Sequence, residues 1–102
     1  MESKVNMKVV HVNGEILLSA SDSDLIGKDL RENGLHINVK REFYGDVKVS
    51  RKTLEEAMEI CTIGNFVGEY TIKIGIEKGL IDPSNIIRIQ GVPHAQYAKL
   101  RF

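Results

Sequence analysis

RKTLEEAMEICTIGNFVGEYTIKIGIEK, residues 51–78, is the stretch that decides the fold class of this 102-residue chain. Ser50 precedes it and is suited to cap a helix, while Gly79 follows it and is suited to end one. Apolar side chains recur through the stretch with a helical period, so the pattern predicts one dominant helical region. Three glycines fall inside the apolar arc, which predicts either close packing on a sheet or a break near Gly64.

Strand signals lie on both sides of this helical region. Two Asn-Gly pairs, at residues 13–14 and 33–34, each separate two β-prone runs and predict tight hairpins. Ser21 or Asp22 is predicted to cap one short turn that Gly27 closes. The predicted strands are Met7–Val12, Glu15–Ala20, Lys28–Glu32, Leu35–Val39, Val47–Val49, Ile86–Ile89 and Ala95–Leu100.

The order of these segments predicts the fold class. Strands come first, then the helical region, then strands again, which is typical of an α+β domain. We therefore expect residues 1–102 to form a single compact α+β domain. Its sheet should be mostly antiparallel, with hairpins, and the helical region, either straight or kinked, should pack on it.

Composition excludes several classes of protein. Fourteen Lys and Arg residues balance fourteen Asp and Glu residues, so any binding of a polyanion needs a local basic patch. Cys61 is the only cysteine, and it falls on the apolar arc, so we expect a core residue and no cysteine-based metal site. The sequence predicts no metal site and no cofactor. No apolar run is long enough to span a bilayer and no signal peptide is evident, so we expect a cytoplasmic protein with no membrane association.

GVPHAQ, residues 91–96, contains the sharpest candidate for chemistry. His94 is predicted to lie in a stiff loop, because Pro93 fixes a backbone dihedral angle beside it. An enzyme would combine His94 with Glu69 and Asn65 as acid, base and polar orienting group, provided that the three share one hollow. The structural alternative is a histidine whose ring nitrogen only ties down its own loop.

A basic segment with aromatic side chains is the candidate binding surface. Residues 37–52 carry five cations against two carboxylates, a net charge of +3. Such cations contact phosphate, and Phe43 or Tyr44 could stack on an unpaired base. The alternative is that Phe43 belongs to the core and the lysines only solvate an edge strand. The predicted binding residues are Lys40, Arg41, Tyr44, Lys48, Arg51, Lys52 and Gln96.

A third surface would serve a protein partner or a second copy of the chain. On the helical projection Phe66 falls within the polar arc, and Met58 and Ile76 lie at its border. Exposed apolar side chains so close together predict a contact patch.

Four short motifs carry a resemblance to a known family: SDSDLIGK (21–28), EFYG (42–45), NFVGE (65–69) and GVPHAQ (91–96). On these motifs the chain resembles the archaeal family catalogued as domain of unknown function 424. The resemblance implies a compact α/β domain in archaeal cytoplasm, in a context of translation and RNA processing. It implies no established activity, cofactor or catalytic residue.

Together these features favour a non-enzymatic binding module that associates with RNA or a ribonucleoprotein. An enzyme built around His94, Glu69 and Asn65 is the alternative, and an interaction module that uses Phe66, Met58 and Ile76 is a further one. Convergence of the first three residues in a concave pocket would favour chemistry. A basic face with an exposed aromatic ring would favour nucleic acid.

Overall fold

The computed structural model describes residues 4–99, which form two sheets and three helices in an α+β arrangement. The predicted fold class is therefore confirmed. Among these residues no helix has the length and apolar character needed to cross a bilayer. In chain order the elements are β1 (Val5–Val12), β2 (Glu15–Asp22), β3 (Asp29–Glu32), β4 (Leu35–Asn38), α1 (Arg41–Tyr44), β5 (Val47–Val49), α2 (Arg51–Ile60), β6 (Ile63–Val67), α3 (Glu69–Glu77), β7 (Ile87–Ile89) and β8 (Val92–Ala98).

The larger sheet has the strand order β5-β1-β2-β6-β8-β7. Its neighbouring strands run antiparallel except for β2 and β6, which are parallel. The hairpin β3–β4 forms a separate two-stranded sheet. Asn13 and Asn33 adopt positive φ values of 50° and 51°, each followed by a glycine at positive φ, so both Asn-Gly hairpins are confirmed.

The predicted long helix is wrong in its middle. Ser50 caps α2 as predicted, since its side chain accepts a hydrogen bond from the amide of Thr53, and Gly79 follows the end of α3 at φ +80°. Between the two helices, however, the chain forms strand β6. The helical region does break near Gly64, as predicted. The break is not a kink, because the chain there forms a strand in the centre of the sheet. Ile63, Phe66 and Val67 are β-formers, and burial between neighbouring strands outweighs the helical periodicity.

The two glycines that flank Phe66 allow close approach. A side chain at Gly64 would collide with the Phe66 ring, and one at Gly68 would collide with the Asp22 carboxylate. Gly68 has a φ of 106° and begins α3 without any side chain that could cap the helix. Asp22 at the end of β2 supplies that cap. Asp22 was predicted to cap the short 3-10 turn Ser23–Leu25, but its side chain forms no capping hydrogen bond there.

The last hairpin also differs from the prediction. Gln90 and Gly91 form its two-residue turn, at φ values of 52° and 79°, because both central residues of this turn type need positive φ. Pro93 and His94 therefore lie within strand β8 and not in a loop. Pro93 has no N–H to donate to the carbonyl of Gly68, which lies opposite it just after the end of β6. That carbonyl accepts a hydrogen bond from the amide of Ile72 instead, so the proline is tolerated inside the sheet. The predicted strand end at Leu100 lies outside the described residues.

The core lies between the large sheet and helices α2 and α3. Strand side chains alternate between the two faces, and every second one meets the helices. Cys61 is buried here as predicted, where burial raises the pKa of its thiol. The buried residues of this cluster are Val5, Leu18, Ala20, Leu54, Ala57, Met58, Cys61, Phe66, Ile72, Ile74, Ile81 and Ala95.

Candidate nucleic-acid interface

The face of the large sheet opposite α2 and α3 is only partly covered. A small cluster of Val39, Tyr44 and Val67 attaches α1 and the β3–β4 hairpin to this face. These elements cover parts of the face and leave the strand residues between them accessible. We call this accessible surface the open face.

A row of polar residues crosses the centre of the open face. The strand registers pair Lys8 with Ser19, Ser19 with Asn65, and Asn65 with Gln96. Paired residues project from the same side of a sheet, so these four side chains form a continuous row, which we call the polar row. The Gln96 Nε2 donates to the Asn65 Oδ1 at 3.1 Å. Neighbouring strands are spaced by about 4.8 Å, so the row extends for about 14 Å.

An apolar row borders the polar row on one side. The same registers place Val10 beside Leu17, Leu17 beside Ile63, and Ile63 beside Ala98. Ile63 is 36% exposed, although a large apolar side chain in mid-sheet is normally covered. The open face therefore offers apolar surface directly beside amide and hydroxyl groups.

Phe43 forms one wall of a groove at the α1 end of the polar row. The groove has a volume of about 170 Å³, and Lys8, Ser19, Ile63 and Asn65 also contribute to its lining. The Phe43 ring is 48% exposed and contacts the Tyr44 ring edge-on, with 4.9 Å between the ring centroids. This contact holds the ring in place beside the amide of Asn65.

Tyr44 does not serve as the predicted stacking residue. It is only 3% exposed, and burial raises the pKa of its hydroxyl to about 12. Its role is to anchor α1 to the sheet. Of the two aromatic residues considered in the sequence, Phe43 is the one whose ring is accessible.

A larger hollow lies on the other side of the Asn65–Gln96 pair. It has a volume of about 490 Å³ between β4 and strands β7 and β8. His94 contributes to its lining, and the His94 Nδ1 lies 3.0 Å from the carbonyl oxygen of Phe66. Burial lowers the pKa of His94. The remaining lining residues are Leu35, His36, Ile37, Asn85, Ile87, Ile89, Ala95 and Gln96.

The predicted catalytic combination is not assembled. Asn65 and His94 both lie on the open face, but Glu69 lies at the start of α3, on the helix side of the sheet. There its carboxylate accepts a hydrogen bond from Arg88 Nη1 at 2.8 Å. The prediction that the three share one hollow is wrong, because Asn65 lies in strand β6 and points to the open face, whereas Glu69 begins helix α3 on the other side of the sheet.

The predicted basic residues lie at three separate places. Lys40 and Arg41 begin α1 beside the open face, and Arg41 lies 3.5 Å from Asp46. Lys48 lines a different hollow, together with Lys4 and Tyr70. The other two are at the start of α2, where Arg51 forms ion pairs with Glu55 and Glu77, and Lys52 is exposed.

The predicted patch for a protein partner does not exist on the described surface. Phe66 is fully buried and Met58 is 1% exposed, and Ile76 packs against the same core. The prediction is wrong because a helical projection was applied to Phe66, which lies in a strand and points into the core.

Sequence reasoning missed Lys8, Ser19 and Ile63. The Lys8 Nζ donates to the carbonyl oxygen of Glu42 at 2.7 Å, which places its charge above the groove beside Phe43. Asn6 and Lys8 alternate with apolar residues at the start of β1, and this was a signal for the polar side of that strand. No comparable signal existed for Ser19, which is only 6% exposed in the middle of the row, or for Ile63, because their position on the face depends on which strands become neighbours.

The chain is similar to known proteins in sequence and in fold. The sequence model of a family described as a protein of unknown function (DUF424) matches residues 10–100. No curated protein matches the chain. The fold is similar to that of the crystal structure of an uncharacterized conserved protein from Methanopyrus kandleri. That structure has a TM-score of 0.74 and 23% sequence identity, with 96% of each chain covered.

Proposed function

The chain belongs to the DUF424 family of proteins of unknown function, and we propose that it is a non-enzymatic module that binds single-stranded RNA, alone or in a ribonucleoprotein of the cytoplasm. The RNA lies across the open face, along the polar row. The observation that carries the proposal is the exposed Phe43 ring beside the amides of the polar row.

Stacking on Phe43 supplies the main contact. Proteins recognise unpaired RNA by stacking bases on aromatic rings, and each stacked base contributes about 1–3 kcal/mol. Phe43 is suited to this because its contact with Tyr44 holds the ring in place, so little side-chain entropy remains to be lost on binding. The groove beside it, at about 170 Å³, is well below the size of a pocket for a drug-sized ligand and suits one planar ring.

The polar row supplies hydrogen bonds, and two lysines supply phosphate contacts. Asn65 and Gln96 carry amide groups of the kind that bind the edges of bases. Lys8 lies on the row, and Lys40 precedes Phe43 by one turn of α1. Among residues 4–99 neither lysine takes part in an ion pair. The Lys8 ammonium donates one hydrogen bond to the Glu42 carbonyl and keeps two further donors for a phosphate group.

The small number of cations sets the expected affinity and its salt dependence. For single-stranded nucleic acid, log K falls with log salt concentration by about 0.7 for each neutralised phosphate. Two phosphate contacts therefore predict that affinity falls about sevenfold between 50 and 200 mM salt. The zero net charge of the chain is consistent with binding of this moderate strength.

Fluorescence anisotropy with a labelled single-stranded RNA octamer of mixed sequence tests the proposal. We expect saturable binding with the salt dependence given above. Phe43→Ala should weaken it at least fivefold, since stacking contributes about 1–3 kcal/mol per base. Ile60→Ala is the matched control, because Ile60 is 55% exposed at the end of α2, away from the open face.

The proposal fails if the octamer does not bind at low salt, or if binding is independent of salt. It also fails if the Phe43→Ala and Ile60→Ala variants bind equally well.

A further inference from the structure

His94 presents a hydrogen-bond acceptor to the larger hollow of the open face. A carbonyl oxygen can only accept, so the contact with Phe66 requires the proton on the His94 Nδ1. In the neutral ring the Nε2 then carries a lone pair. Burial lowers the pKa of His94, which favours this neutral form at pH 7.

Gln96 adds a second acceptor to the same hollow. Its Nε2 donates to the Asn65 Oδ1, so the other end of the Gln96 amide, the Oε1, points away from Asn65. The Oε1 of Gln96 is therefore not needed by its neighbour in the polar row and is available to a ligand. Gln96 and His94 are two residues apart in β8, so both project from the same side of the sheet.

The walls of the hollow suit a flat ring. Leu35 and Ile37 from β4 lie on one side, and Ile87 and Ile89 from β7 lie on the other. At about 490 Å³, the hollow is within the usual range for small-ligand sites. It adjoins the groove beside Phe43 across the Asn65–Gln96 pair, so one strand of RNA on the open face would reach both.

We propose that this hollow receives an RNA base that carries an exocyclic amino group, with the His94 Nε2 and the Gln96 Oε1 accepting hydrogen bonds from it. The proposal rests on the RNA-binding function proposed above. Cytosine, adenine and guanine have such a group and uracil does not. Cytosine and uracil have rings of the same size, and they differ where cytosine has an amino donor and uracil has a carbonyl acceptor. The amino group of cytosine has two N–H donors, one for each acceptor. The carbonyl of uracil forms neither bond, and the single N3–H beside it can donate to only one acceptor, so the hollow selects against uracil.

Comparing an octamer of cytidine with an octamer of uridine tests the proposal. Both are labelled alike and measured by anisotropy at one salt concentration and at pH 7.5. We expect the cytidine octamer to bind at least fivefold more tightly to the unmodified protein. Phe43→Ala should weaken the binding of both octamers and leave their ratio unchanged.

His94→Asn is the decisive variant. The asparagine amide keeps a donor for the Phe66 carbonyl where the His94 Nδ1 was, but it has no counterpart to Nε2. We expect the preference for cytidine to fall toward unity while uridine binding is retained. Gln96→Ala is a second variant on an exposed residue, so it tests the same preference even if the first variant is unstable.

The outcomes separate the two proposals. Equal binding of both octamers to the unmodified protein overturns the selection for amino groups and leaves RNA binding intact. A preference for cytidine that survives both variants overturns the assignment to His94 and Gln96. If neither octamer binds, both proposals are overturned.

Discussion

Phe43 and Tyr44 are adjacent residues with opposite environments, and this difference defines the site. Consecutive residues of a helix point about 100° apart, so the short helix α1 buries one ring and exposes the other. The sequence offered both rings as stacking candidates and could not choose between them, because the choice depends on how α1 lies on β1 and β2. Once Tyr44 is anchored, Phe43 must lie over the polar row.

The burial of Tyr44 predicts a loss of stability at high pH. Its pKa is raised to about 12 in the folded protein, so the unfolded chain ionises first, near pH 10. The contribution of the neutral Tyr44 hydroxyl to the free energy of unfolding is fully present below pH 10 and is lost as the pH rises toward 12. Urea denaturation measures the free energy of unfolding at pH 8 and at pH 11.5. Between these two pH values it should fall by about 1–2 kcal/mol less in Tyr44→Phe than in the unmodified protein.

The comparison with Tyr44→Phe isolates this group from the lysines and other tyrosines, which titrate in the same range. Identical decreases in the two proteins would show that Tyr44 is not buried as described.

Strand β6 shows where sequence patterns reach their limit. The residues of 51–78 fit a helical period along their whole length, and the cap at Ser50 and the stop at Gly79 were both predicted correctly. The middle forms a strand because two neighbouring strands, β2 and β8, satisfy its backbone and bury Phe66. Those partners are distant in sequence, and no local period reports them.

The cap that β2 supplies to α3 is a testable link between elements. Asp22 accepts hydrogen bonds from the amides of Tyr70 and Thr71, at 3.1 and 2.8 Å, and from the hydroxyl of Thr71 at 2.8 Å. Asp22→Ala should lower the free energy of unfolding by about 2 kcal/mol, the upper end for a lost helix cap. Asp24→Ala, at an exposed carboxylate two residues away, should change it by less than about 0.5 kcal/mol. Equal effects in urea denaturation would contradict the cap.

The attachment of α1 to the sheet depends on Gly45. This residue has a φ of 93°, its carbonyl accepts a hydrogen bond from the Asn6 amide at 2.9 Å, and an added side chain would collide with the backbone oxygen of Met7. Gly45→Ala should therefore cost about 3 kcal/mol or more, and it should also weaken RNA binding by displacing Phe43. Gly34→Ala, at φ +83° with open space around it, should cost only about 1 kcal/mol.

Thermal denaturation and anisotropy of these two glycine variants test the attachment. If both variants lose stability equally and keep their affinity for RNA, α1 does not depend on close contact with β1.

At the scale of the whole molecule, the site is a product of the strand order. Lys8, Ser19, Asn65 and Gln96 come from four strands spread over nearly ninety residues, and only the order β1-β2-β6-β8 places them in one row. The sequence predicted Asn65 and Gln96 as candidates for separate reasons and missed the other two. It also grouped Glu69 with His94, which the sheet places on opposite faces. The sequence identified residue types suited to a site, but it did not show which face of the sheet each residue lies on.

The most direct test of the account is to map the contact surface by NMR. Backbone and side-chain amide signals of the labelled protein are recorded as a single-stranded RNA octamer is added. We expect shifts at Phe43 and at the side-chain amides of Asn65 and Gln96, with the exposed surfaces of α2 and α3 unaffected. Shifts confined to the helix side, around Arg51 and Lys52, would contradict it.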